Sequence, residues 1–126
     1  MPRFVLLEHR WNGVHWDFML ETKERVLRTW AFNSQVESGI ELTARGLQDH
    51  RLDYLDYEGE ISGGRGTVRR IDFGEFFILD WLEDLVRVRL QGAQLLGPIE
   101  LRRAVSGTLD DSGAVNDWVV RFGNFD

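Results

Sequence analysis

A chain of 126 residues, 43% of them hydrophobic and with no apolar run of membrane-spanning length, reads as one soluble globular domain over residues 1–126. The absence of cysteine excludes disulfides, thiolate zinc sites and a cysteine nucleophile, and a cytoplasmic location with no membrane contact is expected. A net charge of −6 argues against non-specific attraction to nucleic acid, yet fourteen of the fifteen cations are arginine, whose rigid fork suits phosphate.

The chain reads as strand after strand, punctuated by glycine and Asp/Asn turns. Strands are expected at Arg3 to His9, Val14 to Glu21, Val26 to Phe32, Glu41 to Leu47 and Gly66 to Ile71. Four more are expected at Glu75 to Asp80, Leu85 to Leu90, Gln94 to Arg103 and Asp117 to Phe122. The stretch "VRVRL" alternates apolar and charged residues at period two, as a sheet with one wet face requires, whereas "GEFFILDW" is apolar enough to lie deeper. Helix is confined to at most one or two short turns, within "SQVESGIELTARGL" and "DWLEDL". This pattern predicts a mainly β protein, a small closed antiparallel β-barrel of about eight or nine strands, because closure removes exposed edges. Phe73, Phe76, Phe77 and Trp81 are expected in its core.

The stretch "EHRWNGVHWDFMLE" contains two of the three histidines and an aspartate. Alternation puts His15 and Asp17 on one face of a strand, and the hairpin loop decides whether His9 joins them. A two-residue Asn12-Gly13 turn would place His9 across from Trp16, pointing away. A three-residue Trp11-Asn12-Gly13 loop, built on a type I turn with Gly13 at positive φ, would place His9 opposite His15. Only the second register makes His9, His15 and Asp17 a divalent-metal site with positions open to substrate. An alternative takes His15 and Asp17 with a distant histidine as a facial triad for non-haem iron on a cupin-like barrel.

The order of motifs resembles the 3′-phosphoesterase domain of bacterial DNA ligase D. The opening "FVLLEHRWNGVHWDFMLE", then "TWAF", "QDHRLDYLDYEGEI", "GGRGTV", "LQGAQLLGPIELRR" and "DWVVRF" follow that family's motifs collinearly across nearly the whole chain. The resemblance implies a stand-alone, manganese-dependent phosphoesterase that removes 3′-phosphates and 3′-ribonucleotides from DNA before end joining. Zinc or another divalent ion is possible, and the substrate is a DNA 3′ end or another phosphoester. Ligase and polymerase partners would be encoded separately. His9, His15 and Asp17 would be metal ligands, with His50 and Tyr54 as catalytic residues at the scissile phosphate. Arg10, Arg45, Arg51 and Arg65 are candidates for holding phosphate.

The match departs at basic positions. Met19 stands where the family has an arginine, Ser34 where it has a lysine, Leu42 where it has a second arginine, and Leu7 where it has a glutamine. Methionine cannot replace a phosphate clamp. The competing expectation is therefore a catalytically degenerate barrel that serves as a nucleic-acid or protein binding module in DNA repair.

Overall fold

The computed structural model describes residues 1–107, 109, 113 and 115–123. Nine strands run in chain order: β1 (Arg3–Arg10), β2 (Val14–Glu21), β3 (Val26–Phe32), β4 (Glu41–Arg51), β5 (Gly59–Glu60), β6 (Thr67–Trp81), β7 (Leu85–Gly92), β8 (Leu96–Arg103) and β9 (Asp117–Phe122). Their order in the sheet is β1-β2-β3-β4-β9-β8-β7-β6-β5, and β1 pairs back onto β6. The result is the expected closed antiparallel barrel, made of eight strands with β5 as an addition on β6.

Three details differ from the sequence reading. The segments expected as strands at Gly66 to Ile71 and Glu75 to Asp80 form one fifteen-residue strand, β6. This is possible because its ends serve different neighbours: Thr67 to Glu75 pairs with β1, and Gly74 to Trp81 with β7. The single helical element among the described residues is a 3-10 turn at Leu52–Leu55, not in either expected place. Phe76 is fully buried and Trp81 packs on the core, but Phe73 and Phe77 lie on the outer surface, each more than 40% exposed. They share the outward phase of β6, opposite to Phe76.

Alternation on β1 and β2 divides the apolar residues between two clusters. Phe4, Leu6, Phe18 and Leu20 point into the barrel with Trp30, Phe32, Val88, Ile99 and Leu101. Val5, Leu7 and Met19 point outward and are buried under Leu55 and Ile61, with Leu52 and Tyr54 packed alongside. This second cluster seals the 3-10 turn against the barrel wall. Arg3 adds a two-pronged contact to Asp56, at 2.7 and 3.4 Å, and Arg70 donates to the Leu55 carbonyl. The hydrogen bond from Arg3 holds the Asp56 carboxyl below its ordinary pKa.

On the far side, buried Asp72 accepts hydrogen bonds from the backbone N–H groups of Phe73, Ala93, Gln94 and Leu95. It thereby fixes the turn between β7 and β8. No helix among the described residues is long and apolar enough to cross a membrane.

Candidate metal centre and cleft

The β1–β2 hairpin adopts the three-residue register. Arg10 pairs with Val14, His9 with His15 and Leu7 with Asp17. Gly13 has φ 114°, as that register demands, but Asn12 also sits in the left-handed region at φ 54°, so the loop is not the type I turn. Asparagine is among the few side chains that tolerate this conformation. Thus "WNG" reaches the same register by a different turn, and the three candidate ligands share the outer face of the barrel wall.

Their donor atoms converge. His9 Nδ1 lies 3.2 Å from His15 Nε2 and 3.8 Å from Asp17 Oδ2, and His15 Nε2 lies 3.2 Å from Asp17 Oδ1. Atoms that share a divalent ion at about 2.1 Å sit roughly 3–3.5 Å apart. The two 3.2 Å separations fall in that range, and one donor atom from each of the three residues lies within 4.8 Å of the others, so a modest inward shift would suit one ion. The 3.2 Å contact between His15 and Asp17 is too poorly aligned to satisfy Oδ1 while the ring is neutral, and becomes an ion pair when His15 is protonated. Asp17 is only 5% exposed, and its Oδ1 is buried without a hydrogen-bond partner among the described residues. A buried carboxylate oxygen left this way is costly unless a cation compensates it. The carboxylate's pull on the proton, first as acceptor and then as charge, raises His15 above its usual pKa against the opposing effect of burial.

Orientation of His9 comes from the loop before β6. Its Nε2 lies 2.7 Å from the Arg65 carbonyl, which fixes the N–H on Nε2 and leaves Nδ1 as the candidate ligand atom, turned to His15 and Asp17. Gly66, at φ 80°, permits this approach: a Cβ there would stand 1.9 Å from the Arg10 carbonyl oxygen.

Beside the cluster opens a cleft of about 120 Å³, lined by His9, Trp11, Asp17, Met19, His50, Tyr54 and Arg65 among others. His50 reaches it through a bulge. Leu27 pairs with His50 and Thr29 with Leu47, so β4 carries one extra residue there, which turns the even-numbered His50 to the face of odd-numbered Leu47. His50 Nδ1 donates to the Gln48 carbonyl at 2.8 Å, leaving Nε2 available, and its ring meets the edge of Tyr54 with centroids 5.6 Å apart. Met19, 1% exposed, belongs to the apolar cluster beneath.

The four candidate arginines separate. Arg65 lines the cleft and also an adjoining groove of about 250 Å³ with Arg51, Tyr54 and Tyr57. Arg45 borders a different hollow, on the His15 side. Arg10 is turned to the opposite face, where it donates to the buried Glu8 at 2.9 Å. The sequence reading overlooked Trp11, which stacks on the His9 ring with centroids 6.3 Å apart. Its place inside the hairpin loop was the available signal.

The family model for the DNA ligase D 3′-phosphoesterase domain matches residues 7–103. The multifunctional non-homologous end joining protein LigD of Pseudomonas aeruginosa is 32% identical over 83 residues, 62% of this chain and 10% of that protein. The Mycobacterium bovis protein of the same name is 32% identical over 109 residues, 79% of this chain and 14% of that protein. The same figures hold for the multifunctional non-homologous end joining DNA repair protein LigD of Mycobacterium tuberculosis. The chain thus spans about a tenth to a seventh of the length of the curated relatives it matches. With the barrel, the hairpin and the motif positions in agreement, the chain belongs to the DNA ligase D 3′-phosphoesterase domain family.

Proposed function

We propose that this chain is a divalent-metal-dependent phosphoesterase acting on DNA 3′ ends, removing a terminal phosphate or ribonucleotide. The observation that carries the reading is the convergence of His9 Nδ1, His15 Nε2 and the buried Asp17 carboxylate at the edge of a cleft holding His50, Tyr54 and Arg65. An ion held by His9, His15 and Asp17, with manganese preferred, supplies Lewis acidity to a phosphoryl oxygen. Water supplies the oxygen that attacks phosphorus as the bond to the leaving oxygen breaks, and the protein's own groups hold the phosphate and serve the leaving oxygen. His50 Nε2, the nitrogen not engaged by Gln48, donates to a phosphate oxygen or delivers a proton to the leaving oxygen when the ring is an imidazolium. Tyr54 confines that ring from its edge, and Arg65 and Arg51 carry the positive charge available along the groove. DNA is the proposed substrate, with a ligase and a polymerase as the partners that use the trimmed end and the cytoplasm as the compartment.

A second reading, a non-catalytic binding module, draws on Met19. Its side chain is packed among Val5, Leu7 and Leu55, where the family resemblance calls for an arginine on the cleft floor. Primer–templates ending in a 3′-phosphate or a 3′-ribonucleotide, incubated with manganese, separate the two. Trimming that disappears in His15→Ala supports the phosphoesterase. Absence of trimming with every metal and end tested supports the binding module.

A further inference from the structure

The register of the outer face sets up a second feature. Asp17 pairs with Ala31, Ala31 with Arg45, and Arg45 with Asp117, so these four residues form one row across β2, β3, β4 and β9. Neighbouring strands lie about 4.8 Å apart, so Arg45 stands roughly 10 Å of backbone from the metal ligand Asp17. Between them is only the methyl group of Ala31. The shortness of that side chain leaves a hollow of about 370 Å³, walled on the metal side by His15.

The two hollows that flank the metal cluster differ in size and chemistry. The cleft on the His50 side, at about 120 Å³, is smaller than the roughly 300 Å³ at which pockets for organic ligands begin, and the hollow on the His15 side exceeds it. Asn33 and Thr43 in the larger hollow can each donate and accept, Arg45 only donates, and Asp117 only accepts. Ala31 and Leu47 add apolar surface. Apart from His15, which belongs to the candidate metal cluster, the charged lining is one arginine and one aspartate, so the hollow carries no surplus of arginine or lysine for a second phosphate. A neutral ligand with a flat apolar body and both donors and acceptors on its rim matches it.

We infer that this hollow is a nucleoside subsite: the nucleoside on one side of the scissile phosphoester lies over Ala31, with Arg45, Thr43 and Asn33 reading its polar edge. This rests on the phosphoesterase reading for its biological sense. The binding claim itself requires no turnover.

The test uses adenosine and, separately, inorganic phosphate, titrated into the metal-free protein and followed by methyl and amide NMR. Adenosine is expected to shift the resonances of Ala31, Thr43 and Leu47, saturably. Ala31→Leu, which fills the hollow and leaves its charges in place, and Arg45→Ala are each expected to weaken binding at least tenfold. Phosphate is expected to leave those resonances unmoved. Adenosine shifts confined to Trp11, Tyr54 and Val68 overturn the inference, as do equal shifts of the hollow by phosphate or unchanged affinity in Ala31→Leu. Failure of DNA trimming with intact adenosine binding would instead remove the phosphoesterase reading and leave a nucleoside-binding barrel.

Discussion

His9 and Arg65 are 56 residues apart in sequence, yet the backbone carbonyl of Arg65 accepts the Nε2 proton of His9 at 2.7 Å. The hairpin brings the three candidate ligand side chains together, and the loop before β6 decides which nitrogen of His9 is turned toward His15 and Asp17. Substituting Gly66 by alanine tests that division directly. The new Cβ would meet the Arg10 carbonyl oxygen at 1.9 Å and strain a residue at φ 80°, so the loop must shift and the Arg65 carbonyl with it. Losing such an orienting contact weakens metal binding by about 10–100-fold, and calorimetry on a folded Gly66→Ala protein should show this. Arg65→Ala keeps the carbonyl and is expected to bind metal normally.

Acid should weaken metal binding through His15. Asp17 raises the His15 pKa above 6.5, so the metal-free folded protein holds that proton to higher pH than an unfolded chain does. The resulting stabilisation of the metal-free state is fully present below the unfolded value and is lost as pH rises through the folded value. Metal must displace the same proton, so affinity should rise with pH through the raised His15 pKa and then level. Calorimetric titrations on both sides of that value check it. His15→Ala should remove both the binding and its pH dependence.

His50 and the metal ligands should separate in their effects. Because His50 holds no ligand atom in the cluster, His50→Ala is expected to leave metal affinity within a few-fold of wild type. Its loss should lower kcat by about 100- to 10,000-fold, the range for a general acid or base. A matching loss of metal affinity would instead make His50 a fourth ligand.

Asp72 is the stability test far from the site. It is 1% exposed and accepts four backbone N–H groups across β6 and the β7–β8 turn. Alanine there removes the acceptor of four part-buried donors, which water can reach only in part, so Asp72→Ala should lower the unfolding free energy by about 1–3 kcal/mol. Chemical denaturation measures this, with Arg89→Ala, an exposed change on β7, as the control expected to cost little.

Most of the barrel was legible because short alternating segments between glycine and Asp/Asn turns specify strands one at a time. The merged β6 was not, since a strand that changes partners midway looks, residue by residue, like two strands. The 3-10 turn at Leu52–Leu55 was also hidden: "LDYL" is too short for a helical period, and its place is fixed by the apolar cluster and by Arg3 and Arg70. At the site, the sequence reduced the hairpin to two exclusive registers but could not choose between them without the φ angles of Asn12 and Gly13. His50 was named through family resemblance alone. Strict alternation along β4 would have turned it away from Leu47, and only the bulge brings it round. Arg10 shows the converse, a neighbour in sequence that alternation sends to Glu8 on the other face.

The metal centre is tested most directly by calorimetric titration of manganese, with zinc alongside, into wild type and His9→Ala. One ion bound per chain in the wild type, and none in the variant, is the predicted result. No binding by the wild type, or the same stoichiometry and affinity in His9→Ala, would contradict a site made by His9, His15 and Asp17.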